Sequence, residues 1–259
     1  MKHLLLSVDA GVATVTMNRP ELRNAFNDEV IAELTTVFLA LGQREEVRVI
    51  VLAAQGPAFC AGADLNWMKR MAGYSRDQNL ADASGLARML EVIATCPQPT
   101  IARVQGDVYA GGMGLVAACD MAVSAEAAHY CLSEVKIGLV PATISPYVIR
   151  AMGARAAHRW FLTAERFSAA EAHRIGFVHE VVAGDALDAR VQGLAAALAA
   201  AGPQAVQACK RLLHEVAGRD ITPALVQHTV KVIADIRASD EGREGVRAFL
   251  EKRKPAWLS

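Results

Sequence analysis

The sequence predicts an α/β fold over its first two thirds and a helical region over its last third. Apolar, β-branched runs at residues 47–53 and 100–104 are typical of buried strands, and each is followed by a glycine-containing loop and a helix start. From about residue 146 onward the chain favours helices, interrupted at residues 177–182, and the segments after Asp185 are rich in alanine. Strand–helix units followed by helices indicate an α/β protein with a helical C-terminal region.

The chain is predicted to open with a β-hairpin and an amphipathic helix. Residues 4–9 and 12–17 alternate around Ala10 and Gly11, which favours two antiparallel strands. Asn27 and Asp28 then cap a helix that Gly42 ends. The apolar residues of that helix recur at helical spacing: Val30, Ile31, Leu34, Val37, Phe38 and Leu41.

The middle of the chain is predicted to alternate strands, loops and helices. A loop, a short helix and a longer helix follow the first buried strand, at residues 55–64, 65–71 and 76–94. The second buried strand, at residues 100–104, is followed by a turn through Gly106 and Asp107 and by a helix start. Two short strands at 121–124 and 129–132 and an irregular segment from Ser133 come next. We divide the chain into a core over residues 1–195 and a helical region over residues 196–259, both parts of one structural unit.

The charge balance and the cysteines narrow the class of protein. The 259 residues carry 27 Lys and Arg against 27 Asp and Glu, so no overall basic field attracts nucleic acid. The five cysteines form no C-x-x-C pair, and no His, Cys and carboxylate set has zinc spacing. No run approaches the roughly 18 apolar residues of a membrane span, and the N-terminal apolar run is too short for a signal peptide. We therefore expect a cytoplasmic enzyme with no metal, nucleic-acid or membrane partner.

The glycines after the strand at 100–104 predict a backbone that binds an anion. Gly111, Gly112 and Gly114 fall within four positions at a helix start, where exposed N–H groups favour negative charge. The G-x-G-x-x-A pattern from Gly112 matches a dinucleotide fingerprint, but its distance from the strand and its short helix argue against NAD. The loop at residues 58–65 also ends a strand–helix unit with small residues. Two such loops that direct two amides at one oxygen would form an oxyanion hole suited to a thioester enolate.

Three stretches closely resemble the enoyl-CoA hydratase/isomerase (crotonase) superfamily. They are Phe59-Cys-Ala-Gly-Ala-Asp-Leu65, the segment from Gln105 to Asp120, and Ser133-Glu-Val-Lys-Ile-Gly-Leu-Val-Pro141. Further likenesses at residues 18–25, 162–178 and 249–254 extend the resemblance over nearly the whole chain. The resemblance implies an α/β, crotonase-like spiral of ββα repeats with a helical C-terminal trimerisation region, assembled as a homotrimer or a dimer of trimers.

The resemblance also implies roles for individual residues. The amides of Ala63 and Gly111 would form the oxyanion hole, and an acyl-CoA substrate would lie bent over both loops. Contacts with the CoA moiety are implied for Arg23, Ala61, Phe249 and Lys252, and the last two could reach it from a neighbouring subunit. We expect the substrate to meet further residues: Asp64, Trp67, Met68, Asp107, Gly112 and Gly114. Coenzyme A is part of the substrate, and no separate cofactor is implied.

The sequence departs from the family at one position that carries chemistry. Typical hydratases of this family have two glutamates, of which one matches Glu134 and the other stands where this chain has Gly114. A single carboxylate is sufficient both for hydration of a 2-enoyl thioester and for isomerisation of a 3-enoyl thioester, because both reactions pass through the same enolate. The remaining glutamate therefore does not decide between the two reactions.

The segment at residues 130–148 favours one substrate class. With Ala142-Thr-Ile-Ser-Pro146 and a glycine at 114, it resembles bacterial hydratases of branched, glutaconyl-type acyl-CoA in leucine or isoprenoid breakdown. We therefore expect 3-methylglutaconyl-CoA or a related branched enoyl-CoA. The alternatives are a generic enoyl-CoA hydratase of fatty acid breakdown, an enoyl-CoA isomerase and a non-catalytic acyl-CoA-binding relative. Candidates for binding a second substrate carboxylate are Lys69, Arg70, Lys136 and Arg150.

Overall fold

The computed structural model describes residues 1–258 and places their strands in two sheets. The large sheet contains, in spatial order, β1 (Leu4–Asp9), β2 (Val12–Met17), β3 (Val49–Ala54), β5 (Thr100–Val104), β7 (Met121–Ala125) and β10 (Glu180–Val182). The small sheet contains, in spatial order, β4 (Ala58–Cys60), β6 (Asp107–Tyr109), β8 (His129–Cys131) and β9 (Phe167–Ser168). Only the first pair of the large sheet is antiparallel, and the three strands β4, β6 and β8 are parallel.

The helices alternate with these strands and then continue alone to the C-terminus. They are α1 (Asp28–Leu41), α2 (Leu65–Met71), α3 (Arg76–Thr95), α4 (Gly111–Ala118), α5 (Ser145–Thr163), α6 (Ala169–Arg174), α7 (Leu187–Ala200), α8 (Pro203–Val216), α9 (Pro223–Ala238) and α10 (Asp240–Leu250). Three times in succession the chain forms a strand of the large sheet, then a strand of the small sheet, then a helical segment. The predicted α/β spiral of ββα repeats, followed by helices, is confirmed.

The first helix shows why the sequence patterns were informative. The Asn27 side chain accepts a hydrogen bond from the Val30 N–H at 3.0 Å, so it caps α1 as predicted. The six apolar residues at helical spacing are all buried in the main core. Gly42 lies at the end of the helix, as predicted.

Three strands of the small sheet were not predicted. The sequence predicts loops for the segments that form β4 and β6 and helix for the segment that forms β9, because two or three residues are too short to show an alternating pattern. Their pairing is long-range, since β4 joins β6 across more than forty residues of chain. Residue 195, the predicted end of the core region, lies inside α7, where Val191 and Ala195 pack against the large sheet.

Four of the five cysteines are buried. The structure forms no disulfide among the described residues, and Cys60, Cys96, Cys119 and Cys131 are buried, whereas Cys209 is exposed. Within residues 1–258, no helix combines the length and the apolar character that a bilayer crossing demands.

A buried ion pair fastens α8 to the large sheet. Lys210 Nζ lies 2.7 Å from Asp120 Oδ2 and donates to the Gln98 carbonyl oxygen at 3.1 Å. The same carboxylate oxygen accepts from the Thr100 amide at 2.7 Å and from its hydroxyl at 2.9 Å. Asp120 therefore has a structural role, and the ammonium group compensates its charge.

Replacing Lys210 by Met is expected to destabilise the protein by about 3 kcal/mol, because the Asp120 carboxylate then loses its cation in a largely buried setting. Urea unfolding followed by circular dichroism measures this change. Lys231→Met, on the exposed surface of α9, is the control and should shift stability by less than about 0.5 kcal/mol. Equal midpoints for Lys210→Met and the wild type would contradict the role of this pair.

Candidate active site

Three predicted site residues follow three adjacent parallel strands. Ala63 comes three residues after β4, Gly111 two residues after β6, and Glu134 three residues after β8. Because these strands are parallel neighbours in the order β4-β6-β8, their carboxyl ends meet at one edge of the small sheet. Ligands of α/β proteins commonly bind at this kind of edge. The fold thus gathers residues that lie 71 positions apart in the sequence.

The first loop is held by the backbone of Phe26. The Phe26 N–H donates to the Gly62 carbonyl oxygen, and the Asp64 N–H donates to the Phe26 carbonyl oxygen, both at 2.9 Å. In a parallel bridge of this kind, the residue between the two bonded positions directs its own N–H to the opposite side. Ala63 is that residue, and its N–H has no acceptor among the described residues. The bridge therefore presents a free amide.

The second loop presents another free amide at the start of α4. Ala110 adopts a φ of 49° and a ψ of −123°, a conformation that L-residues rarely adopt, while its N–H donates to the Cys131 carbonyl oxygen at 2.8 Å. This turn brings the chain into α4 with Gly111 as its first residue. The Gly111 N–H also has no acceptor within residues 1–258, and it lies at the positive end of the helix dipole.

The two loops are in direct contact. A Cβ on Gly62, whose φ is +89°, would lie 3.1 Å from Ala110 Cβ and 3.2 Å from the Tyr109 carbonyl oxygen. A Cβ on Gly111 would overlap the ring of Phe26, with Cε1 at 3.1 Å. Glycine is required at both positions because backbone approaches backbone or ring without room for a side chain. The two free amides follow directly after the contacting residues.

Glu134 begins a short 3-10 turn, Glu134–Ile137, after β8. Its carbonyl oxygen accepts from the Leu139 N–H at 3.1 Å, but its carboxylate oxygen Oε2 is buried and has no hydrogen-bond partner among the described residues. Burial raises the pKa of Glu134 above its ordinary value, and its own backbone amide offsets this only in part. A partly buried carboxylate that has one unpaired oxygen and a raised pKa is the form expected of a general base or acid.

Apolar side chains fill the space beside Gly114. A Cβ at this position would lie 2.8 Å from Ile144 Cβ and 3.4 Å from Leu90 Cδ2, and it would overlap Ile144 Cγ2. Ile144 is only 1% exposed. The position therefore accepts no larger residue without movement of α5, and the structure provides no second carboxylate there.

Two other predicted substrate contacts, Asp64 and Asp107, have partners within the protein. The Asp64 carboxylate caps α2 by accepting from the Asn66 and Trp67 amides, and it pairs with Arg19. Asp107 lies at the amino end of β6, opposite to Gly111, where it pairs with Arg166 at 2.8 Å. Neither carboxylate is free for a ligand in this structure.

The remaining predicted contacts lie in varied surroundings. Trp67 is buried against Phe26, and its indole N–H donates to Asp82 at 3.0 Å, whereas Met68 is half-buried. Gly112 is buried, and a Cβ there would lie 2.8 Å from Cys60 Cβ. The residues for which CoA contacts were expected include Ala61, half-buried, and Arg23, Phe249 and Lys252, all exposed. The Arg23 carbonyl oxygen accepts from the Ala61 N–H at 2.9 Å, so residue 23 also supports the first loop.

Sequence reasoning missed three residues that shape the site. Phe26 joins the two loops, Arg19 pairs with Asp64, and Ile144 occupies the space next to Gly114. The sequence signals were the family-like segment at residues 18–25, which contains Arg19 and adjoins Phe26, and the segment at residues 142–146, which contains Ile144. Nothing in the sequence indicated that Ile144 would contact Gly114.

Comparisons with known proteins agree over nearly the full chain. The family model described as enoyl-CoA hydratase/isomerase matches residues 7–259. A solved enoyl-CoA hydratase from Shewanella pealeana is 44% identical with a TM-score of 0.96, covering 98% of this chain and 96% of its own. One from Mycobacterium smegmatis is 36% identical with a TM-score of 0.93, covering 99% of both chains. An enoyl-CoA hydratase of Alternaria alternata is 34% identical over 84% of this chain and 74% of its own length.

Gly114→Ala is expected to destabilise the protein by about 2 kcal/mol, because the added methyl group overlaps Ile144 in a packed core. Combining it with Ile144→Ala should cost at least about 1 kcal/mol less than the sum of the single variants, since the second change makes room for the first. Urea unfolding of the four proteins completes the cycle. Gly184→Ala, where a Cβ meets no atom within 4 Å, is the control, and strictly additive losses would disprove the contact.

Proposed function

Because the chain belongs to the enoyl-CoA hydratase/isomerase family, the crotonase superfamily, we propose that it is an acyl-CoA hydro-lyase that adds water to a 2-enoyl-CoA. The observation that carries this proposal is the Glu134 carboxylate, whose Oε2 is buried without a partner among the described residues, at the sheet edge that also holds two free amides. A proton-transferring group and two oxyanion donors are together what enolate chemistry requires.

The two amides act on the thioester carbonyl. Ala63 and Gly111 donate to the carbonyl oxygen, and their hydrogen bonds strengthen as negative charge develops on it in the transition state. The dipole of α4 adds to the stabilisation, since Gly111 is its first residue. The CoA moiety belongs to the substrate, and the proposed chemistry uses no cofactor.

Glu134 accepts a proton from water and then donates it to Cα. As the carboxylate, it removes a proton from water while the water oxygen bonds to Cβ and the electrons of the double bond move onto the thioester oxygen. The resulting carboxylic acid then protonates Cα as the enolate returns to the thioester. One water molecule is added, and Glu134 ends as the carboxylate.

An isomerase is the second candidate, and the packing beside Gly114 favours it. Ile144 and Leu90 occupy the space in which a second carboxylate would help to hold a water molecule. In the isomerisation of a 3-enoyl-CoA, Glu134 removes a proton from Cα and the same proton is returned at Cγ, so no water is needed. Product analysis separates the two reactions.

Within the hydratase proposal, we favour 3-methylglutaconyl-CoA or a related branched enoyl-CoA, as in leucine catabolism. The support is the family-like segment at residues 130–148. The second carboxylate of such a substrate requires a cation in the protein. The candidates Lys69, Lys136 and Arg150 are exposed and form no ion pair within residues 1–258, whereas Arg70 pairs with Asp28. Lys136 follows Glu134 by two residues, which makes it the first cation to test.

We also propose self-association as a homotrimer or a dimer of trimers. The C-terminal helices expose large apolar side chains, among which Phe249 is 81% exposed. Apolar surface of this kind is typical of an interface between subunits. Phe249 and Lys252 would then contact the CoA of a neighbouring subunit.

Glu134→Gln is expected to lower turnover by roughly 10²- to 10⁴-fold, because the amide neither accepts nor returns a proton. The assay compares crotonyl-CoA, 3-methylglutaconyl-CoA and a 3-enoyl-CoA, with products identified by chromatography. Glu126→Gln, which removes an exposed glutamate, is the matched control. Wild-type turnover by Glu134→Gln on every substrate would remove Glu134 from the mechanism, and acyl-CoA binding without turnover by the wild type would favour a non-catalytic relative.

Glu134→Gln is also expected to stabilise the protein at pH 7 but not at pH 4. The pKa of Glu134 is raised in the folded state, so its contribution to stability is complete below the unfolded pKa of about 4.3 and is lost as pH rises through the folded pKa. At neutral pH the wild type therefore retains an unfavourable buried charge that Gln removes. Urea unfolding of both proteins at the two pH values tests this, and an equal difference at both would contradict it.

A further inference from the structure

A buried ion pair lies directly beside one of the proposed oxyanion donors. Arg19 Nη2 is 2.8 Å from Asp64 Oδ2, and the two side chains are 11% and 8% exposed. Asp64 is the residue after Ala63, so a carboxylate is fixed one position away from an amide that we assign to an oxyanion. A carboxylate on the neighbouring residue would repel the negative charge of an oxyanion, the more so where water is excluded.

The Asp64 carboxylate stabilises the start of α2. Its Oδ1 accepts from the Asn66 amide at 2.8 Å and from the Trp67 amide at 3.2 Å, which caps α2. Burial opposes its ionisation, but these amides and Arg19 together hold the pKa of Asp64 below its ordinary value. The loop is thus built around a charged group at neutral pH.

Arg19 is held in place from two sides. Its Nη1 donates to the Ala25 carbonyl oxygen at 2.6 Å, next to the Phe26 backbone that bridges to Ala63. Its amide donates to Asn24 Oδ1 at 3.0 Å, and the Asn24 side chain in turn donates to the Ala58 carbonyl oxygen at 2.9 Å in β4. The guanidinium group is therefore held by the Ala25 carbonyl oxygen, and the Arg19 backbone is connected through Asn24 to the strand that leads into the first loop.

Resting on the proposed function, we propose that Arg19 is a positioning residue that neutralises Asp64, so that this carboxylate holds the first loop without opposing the oxyanion at Ala63 and Gly111. Arg19 acts through Asp64 and does not itself contact substrate.

The first test uses charge-neutral replacements. Arg19→Gln is expected to lower kcat by about 10- to 100-fold with KM changed by less than about threefold, because the unpaired carboxylate opposes charge that develops only in the transition state. The double variant Arg19→Gln/Asp64→Asn should regain most of the activity, since Asn still caps α2 and no charge remains. Arg19→Lys, which keeps the charge, should stay within about fivefold of the wild type. Arg190→Gln, which removes the pair with Glu180 elsewhere in the molecule, is the control and should leave kcat unchanged.

The second test measures the oxyanion directly. The enolate of acetoacetyl-CoA absorbs in the near ultraviolet, whereas butyryl-CoA presents only a neutral thioester carbonyl. In Arg19→Gln the enolate fraction of bound acetoacetyl-CoA should fall by about tenfold, with butyryl-CoA affinity unchanged, and both the Lys variant and the double variant should restore it. A merely structural role would weaken both ligands equally, so equal losses, or no recovery in the double variant, would overturn the proposal.

The two tests separate this inference from the proposed function. If the wild type hydrates a 2-enoyl-CoA but Arg19→Gln keeps its kcat and its enolate fraction, the role of Arg19 is wrong and the hydratase stands. If the wild type binds acetoacetyl-CoA as the enolate but turns over no enoyl-CoA, the hydratase is wrong, and the enolate fractions still decide the role of Arg19. Should Arg19→Gln fail to fold, an enolate fraction in Arg19→Lys more than tenfold below the wild type would overturn the inference.

Discussion

Phe26 joins two parts of the site that the chain makes separately. Its N–H and its carbonyl oxygen form hydrogen bonds with the residues on either side of Ala63, and its ring lies where a side chain on Gly111 would be. One residue therefore fixes the direction of one free amide and the position of the other. The strained turn at Ala110 can persist only because the surrounding contacts are this closely determined. The geometry of the proposed oxyanion hole follows from packing as much as from hydrogen bonding.

The charge of Glu134 lowers the stability of the folded protein at neutral pH. Glu134 is half-buried, its Oε2 has no hydrogen-bond partner among the described residues, and burial raises its pKa above the ordinary value. Elsewhere buried charges are compensated, as Lys210 compensates Asp120 and Arg19 compensates Asp64. The contrast supports the proposed role of Glu134, because carboxylates with a raised pKa are concentrated at functional sites.

The small sheet and the apolar residues beside Gly114 shape different parts of the site. Parallel strands bring the three loops to one edge, so the donors and Glu134 share a fixed frame. Ile144 closes the side next to Gly114 with apolar atoms. In the proposed mechanism, proton transfer depends on Glu134 alone.

The sequence by itself determined the α/β class, the limits of elements such as α1 and the family, because helical spacing, capping residues and short loop motifs are local features. It also indicated Glu134 and the two glycine-containing loops. The short strands β4 and β6, the bridge from Phe26, the pairing of Arg19 with Asp64 and the contact of Ile144 with Gly114 were decided only by tertiary structure. Each of these depends on residues about 20 to 50 positions apart, whose approach is set by the packing of the whole chain and leaves no periodic trace in the sequence.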